Sequence, residues 1–161
     1  MDVIDAAGRE HLIDDAALIW AEATAARDGH GEVAGLGDSR PIIQGVLDRS
    51  SRAILLIARS ADGTTGGFAA IEPVGGSSDT VAQVSYVGVR PPLWGQGVGE
   101  RLFLEMRRRL KAAGYTRVEL SVYVDNRRAI ALYERLGWRP CGAPSSHSRT
   151  GKPEQRYELH L

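Results

Sequence analysis

The sequence predicts an α/β protein built on a central mixed, mainly antiparallel sheet of six to seven strands with about four helices. Three observations carry that prediction. Three β-like runs follow one another in the first half, at 52–60, 64–74 and 80–89, with "ADGT" and "GGSSD" as turns between them. The second half moves to a helical period, back to alternation and again to a helical period, which makes a single β-α-β crossover. Between these halves stands "WGQGVG" at 94–99, three glycines at alternating positions where a strand hands over to a helix.

The elements follow in order. A short strand is expected at 2–4. "DDAALIWAEATAAR" (14–27) has helical propensity, with Ala17, Leu18, Trp20 and Ala21 near one face. The glycine-rich stretch 28–39 reads as a loop, and "RPIIQGVLDR" (40–49) as a short helix with proline in its first turn. After the three β-like runs, Val98, Leu102, Met106 and Leu110 recur at four-residue spacing. They mark a helix that ends at Gly114, with Arg107 to Lys111 at its C-terminal end where cations suit the helix dipole. "TRVELSVYV" (116–124) alternates as a strand with Val118, Leu120, Val122 and Val124 on one face. Ala129, Ile130, Leu132, Tyr133 and Leu136 form a second helical stripe, with Asp125 or Asn126 as N-cap and Gly137 at C′. A polar loop (142–154) leads into a final strand at 155–161.

Size and composition bound the function. A chain of 161 residues with 43% hydrophobic content reads as one domain, 1–161, with enough apolar mass for a core. Twenty basic residues balance 20 acidic ones, so no global field draws the chain to nucleic acid or an anionic membrane. The one cysteine, Cys141, excludes an internal disulfide, and no Cys/His spacing suits a metal. "MDVIDAAGREH" lacks the basic and apolar regions of a signal peptide, and the longest aliphatic run, "AILLIA", is too short to span a bilayer. The expectation is a soluble, cytoplasmic protein.

Glycines before a helix N-terminus expose unpaired N–H groups at the positive end of the helix dipole, so an anion such as a pyrophosphate is the natural visitor. A plain connecting turn is the simpler alternative. The spacing G-x-G-x-G is neither the Walker pattern nor the dinucleotide fingerprint G-x-G-x-x-G, and one β-α-β unit is too few for a dinucleotide fold. A dinucleotide oxidoreductase is therefore disfavoured.

"VGVRPPLWGQGVGERLF" (87–103) resembles the acetyl-CoA loop of the GCN5-related N-acetyltransferases, GNAT for short: a hydrophobic strand, Arg-Pro, then Gln/Arg-x-x-Gly-x-Gly/Ala. "VYVDNRRAIALYERLGW" (122–138) is similar to the same family's second motif, with Val122, Asn126, Ala129, Tyr133 and Gly137 on its positions. Together they cover about residues 80–140. The chain departs from the pattern at Trp94, where the family has Gln or Arg; binding through backbone amides should survive that change.

The resemblance implies an acetyl-CoA N-acyltransferase fold and direct transfer of the acetyl group from acetyl-CoA to a primary amine of a small molecule or peptide, with no metal. It implies that Val87, Val89, Trp94, Gly95, Gln96, Gly97, Val98, Gly99 and Asn126 bind the cofactor. The strand before the loop splays from strand 116–124, leaving Val87 and Val89 to bond the pantetheine arm and the Val87 N–H to face the thioester oxygen. Tyr133 becomes the general acid that protonates the departing thiolate, where periodicity alone would make it a core tyrosine. The base stays open between Glu72, acting directly or through water, and a solvated strand-end role for the same residue. Ser85, Ser121 and Tyr123 are further polar candidates, whereas His11, His30, His147 and His160 are scattered and support no site. The implied partners are acetyl-CoA and an amine, with a homodimer allowed and neither nucleic acid nor a membrane required. A non-catalytic acyl-CoA-binding regulator is the alternative, and thiol release separates the two.

Overall fold

The computed structural model describes residues 1–29 and 31–161, so His30 and its share of the expected loop lie outside the described residues. The strands are β1 (Asp2–Asp5), β2 (Ile54–Arg59), β3 (Thr65–Pro73), β4 (Val81–Val89), β5 (Arg117–Tyr123), β6 (Arg139–Ser146) and β7 (Pro153–His160). The helices are α1 (Glu10–Asp28), α2 (Leu36–Arg49), α3 (Val98–Ala112) and α4 (Arg127–Arg135). One seven-stranded sheet runs in the order β1-β2-β3-β4-β5-β7-β6. Every pairing is antiparallel except β4 with β5, the pair joined by the α3 crossover.

The sheet is covered on both faces, which explains why its central strand shows no alternation: all nine residues of β3 are buried. On one face Leu12, Ile13 and Ile19 of α1 and Ile43 and Val46 of α2 meet Leu55, Ile57 and Phe68. On the other, Leu102, Met106 and Leu110 of α3 meet Leu56, Ile71, Val118 and Trp138. Within β2 successive residues go to opposite cores, Leu55 and Ile57 to the first and Leu56 and Ala58 to the second. Each such side chain, removed fully from water, stabilises the fold by about 1.5–3 kcal/mol.

Four sequence expectations need correction. First, α1 begins at Glu10, and its buried stripe runs through Leu12, Ala16 and Ile19, while Trp20 stands half-buried edge-on to Tyr86. Second, α2 begins at Leu36, so Pro41 falls inside the helix. Gly35 and Gly37 disguised its first turn as loop, and the Ser39 hydroxyl there donates back to the Gly35 carbonyl at 3.0 Å. Third, residues 153–154 of the expected polar loop already open β7, and its start, residues 142–146, belongs to β6, an exposed edge strand paired with β7. Its Pro140, Gly142 and Pro144 are tolerated because an edge strand has one unpaired side, and they erase the alternation by which strands are read. Fourth, Val124 lies past the end of β5 and is exposed.

The feature that positions the site is a divergence. β4 and β5 pair only through Val81–Arg117, Ala82–Val118 and Gln83–Glu119, and beyond Gln83 they part. A bulge assists: Tyr86 stands opposite Ala70 and Val84 opposite Ile71, leaving Ser85 as the extra residue.

Candidate active site

The divergence opens a cleft of about 1200 Å³ that passes between β4 and β5 and reaches both faces of the sheet. Backbone geometry decides which groups face it. The Arg90 N–H donates to the Gly66 carbonyl at 2.9 Å, so Arg90 directs its polar groups towards β3. Alternation then turns the N–H and C=O of Val89 and Val87 the other way, into the gap. The Trp94 indole N–H meets the Val89 carbonyl from that side at 2.7 Å. A row of strand hydrogen-bonding groups without a partner strand therefore lines one wall.

At the head of this wall α3 begins. Gly97 caps it in the left-handed region at φ 82°, with no side-chain cap, and Gly95 has φ 78°. The first-turn N–H groups of Val98, Gly99 and Glu100 have no intrahelical acceptor and sit at the positive end of the dipole. A Cβ built on Gly95 or Gly97 would meet nothing within 4 Å, so their outer side is open. Gly99 differs: its Cβ would lie 3.1 Å from Leu132 Cδ2, so glycine there lets α4 close on α3. The three glycines serve two needs, an exposed backbone at 95 and 97 and close helix packing at 99.

Gln96, expected among the cofactor-binding residues, turns its polar groups to its own loop. Its N–H donates to the Leu93 carbonyl at 3.3 Å and its side-chain amide to the Pro92 carbonyl at 2.9 Å. Both are spent on shaping the turn, and Gln96 does not line the cleft. Trp94 does line it, and its ring carries the Arg128 guanidinium 4.4 Å from the centroid. No local pattern marks that cation, since an arginine on a helix usually reads as solvated surface.

Asn126 is the N-cap of α4, its side-chain oxygen accepting the Ala129 N–H at 3.3 Å. One face of the short helix it starts carries Tyr133, 5% exposed and held by ring contacts to Phe103, Trp138 and Tyr157. Tyr133 lines the cleft from this aromatic cage. Burial pushes its phenol well above the ordinary value, so it stays protonated at any neutral pH.

Glu72 is not the solvated strand-end residue that was one expectation. It is 2% exposed, on the cleft floor, and both carboxylate oxygens accept hydrogen bonds. Arg49 donates to both carboxylate oxygens at 2.8 and 2.7 Å, Ser85 donates at 2.7 Å and Gln83 at 3.1 Å. Burial alone would raise its pKa, but the hydrogen bonds from Arg49, Ser85 and Gln83 outweigh that and hold the carboxyl below its ordinary value. Ser121 and Tyr123 also line the cleft, on the α1/α2 face, because Val118, Leu120 and Val122 take the opposite one.

The geometry can be set beside known proteins. The chain is 36% identical over 97 residues to the mycothiol acetyltransferase of Clavibacter michiganensis, a match covering 60% of this chain and 30% of that protein. An uncharacterised protein of Mycobacterium leprae is 40% identical over 94 residues, covering 55% of this chain and 25% of the relative. The chain thus spans less than a third of the length of these curated relatives. Among solved structures, the ribosomal-protein-alanine N-acetyltransferase of Brucella melitensis has a TM-score of 0.78 at 16% identity, covering 100% of both chains. The yncA protein of Salmonella typhimurium, solved with its cofactor acetyl-CoA, has a TM-score of 0.73 at 16% identity, covering 100% of this chain and 94% of that one. At such identities the likeness speaks for the fold. Residues 34–138, well over half the chain, match the acetyltransferase (GNAT) family, and the chain belongs to that family.

Proposed function

We propose that this chain, as a single domain over residues 1–161, is an N-acetyltransferase that moves the acetyl group of acetyl-CoA directly to a primary amine. The observation that carries the reading is the gap between β4 and β5. Open backbone at Val87, the Val89 N–H, a bare α3 N-terminus and a protonated Tyr133 all converge on one cleft. The residues fit the cofactor: the first-turn amides of Val98, Gly99 and Glu100 that follow Gly97 suit a pyrophosphate, and the row at Val87 and Val89 suits an amide-rich arm.

When bound, acetyl-CoA supplies an activated thioester. The chain's own groups do the rest. Val87 N–H, already oriented into the gap, donates to the oxygen on which negative charge develops. Tyr133 holds a proton at its hydroxyl and gives it to the departing sulfur. Its high proton affinity is matched, because a thiolate leaving into the same apolar cage is desolvated and becomes more basic too. Asn126 fixes the start of α4 and with it the position of Tyr133.

Glu72 works as an ionised anchor. A carboxylate held below its ordinary pKa by an arginine is a weak base, so the amine's proton leaves through water, with Ser85 oriented by Glu72 at the cleft floor. A regulator that only binds acyl-CoA would have no use for a protonated phenol at the thioester end. The single cysteine suits a reducing compartment, and we place the protein in the cytoplasm. A homodimer would pair through the exposed edge strand β6, and the balanced charge gives no drive towards nucleic acid or membrane. The test is thiol release from acetyl-CoA across polyamines, amino acids, aminoglycosides and peptide N-termini. Acetylated amine in step with free CoA supports the reading, and no release with any amine overturns it.

A further inference from the structure

The cleft has a second end, on the α1/α2 face, whose chemistry the mechanism above does not use. Tyr123, the last residue of β5, is surrounded there by cations. The Arg27 guanidinium, from the last turn of α1, lies 4.7 Å from its ring centroid, and the Lys152 ammonium, from the β6–β7 turn, lies at 5.3 Å. His147 stacks edge-on at 5.4 Å, and the Tyr123 hydroxyl shares a hydrogen bond with Thr150 Oγ1 at 3.1 Å. The turn that brings Lys152 is braced, not loose. The His147 N–H donates to the Lys152 carbonyl and the Gly151 N–H to the His147 carbonyl, each at 2.8 Å. His147 Nδ1 accepts two further backbone N–H groups, from Arg149 and Thr150, at 3.2 Å.

Two like charges drawn to one aromatic ring repel each other, and the Asp28 carboxylate pairs with Arg27 through both oxygens, at 2.8 and 3.2 Å. Arg149 lines the same end of the cleft. The floor beside it carries the opposite sign: Glu154 stands across from Tyr123 in the sheet register, and Glu119 lies on the same face of β5. A ligand that satisfies this surface has an anionic group for Arg27 and Lys152 and a cationic or amine group for the floor.

Resting on the acetyl-transfer reading, we infer that the acceptor is a small amine that also bears an anionic group, a carboxylate or a phosphonate, held by Arg27 and Lys152 at Tyr123. Charge-assisted contacts from a guanidinium and an ammonium recognise both anions, and the anchored anion fixes where the amine can reach. Neutral amines and polyamines lack the group and should be poor acceptors.

The experiment compares matched acceptors with the full chain: amino acids, their amides, and aminoalkyl phosphonates, each with acetyl-CoA. The acidic members are expected to exceed the amides in kcat/KM by at least about tenfold, what one charge-assisted hydrogen bond supplies. In Arg27→Gln and Lys152→Gln that ratio should fall towards one, while acetyl-CoA affinity stays within about twofold and the melting curves show both variants folded. Preference for carboxylate over phosphonate, or the reverse, identifies the anion. Amides equal to acids, or a ratio that survives both substitutions, overturns the inference. Calorimetry with CoA and N-acetylated amino acids against their amides separates the two readings. Tighter binding of the acids in the wild type alone, without turnover of any amine, would keep the anion site and end the acetyl-transfer reading. Equal binding would end the anion site.

Discussion

The two ends of the cleft are built from different materials. At the α3 end the groups that face the cleft are backbone: Val87, Val89 and the first-turn amides that follow Gly97, positioned by a diverging strand and two left-handed glycines. At the Tyr123 end they are side chains: Arg27 from α1, and His147 and Lys152 from the β6–β7 turn. Backbone recognition tolerates almost any side chain outside the glycines, so it suits a cofactor that every member of such a family would share. Side-chain recognition can change one residue at a time, so it suits an acceptor particular to this chain. The expectations below break or sharpen that contrast, from the largest effect to the smallest.

Gly97→Val should abolish acetyl-CoA binding, seen by calorimetry as a loss of at least about a hundredfold. A branched side chain would stand in the open space over the α3 N-terminus, at φ 82° where such residues are strained. Gly99→Val should lose stability first, because its Cβ would meet Leu132 and not the ligand. If Gly97→Val binds normally, the backbone reading of this end is wrong.

Glu72→Gln should destabilise the fold by about 1–3 kcal/mol, since it leaves Arg49 with a neutral partner and one donor too many around a buried oxygen. The sign of the pH dependence follows from the depressed pKa. The stabilisation from the ionised carboxylate is complete above the unfolded-state value and is lost as pH falls through the lower folded-state value. Melting curves should therefore separate wild type from variant at neutral pH and converge in acid. A constant gap down to acid pH would show that Glu72 acts only through its shape.

Trp94→Phe should change acetyl-CoA affinity by only a few-fold. It removes the indole donor to Val89 but keeps a ring under Arg128. Trp94→Arg removes the ring and places a second guanidinium beside Arg128, so it should lose more affinity than Trp94→Phe. A loss beyond about tenfold in Trp94→Phe would assign the loop's shape to that one hydrogen bond.

How much of this was legible in the sequence divides along the same line. The α3 end was readable because its devices are local. Glycines before a helix, an Asn cap and a four-residue apolar stripe announce themselves within a few residues, and Val87, Val89, Asn126 and Tyr133 do line the cleft. Gln96 stands apart from that lining because a turn residue can spend its polar groups on its own turn, which spacing does not reveal. The Tyr123 end was illegible for a physical reason. Arg27, Tyr123 and Lys152 are far apart in sequence and meet only through the sheet, and β6, which delivers Lys152, carries prolines and glycine in place of alternation. Glu72 lies between these cases: its strand was apparent, but its burial depends on Arg49 arriving from α2.

The central claim is that backbone holds the cofactor while one side chain, Tyr133, moves the proton. Tyr133→Phe tests it most directly, because it removes a single oxygen and leaves the ring among Phe103, Trp138 and Tyr157. The measurement pairs steady-state thiol release with an accepted amine, calorimetric titration of acetyl-CoA and a melting curve. Turnover should fall by roughly 10²–10⁴-fold, the usual worth of a placed acid, while affinity stays within a few-fold and the melting temperature scarcely moves. Wild-type turnover in a folded Tyr133→Phe protein would contradict the account and return Tyr133 to the core as packing alone.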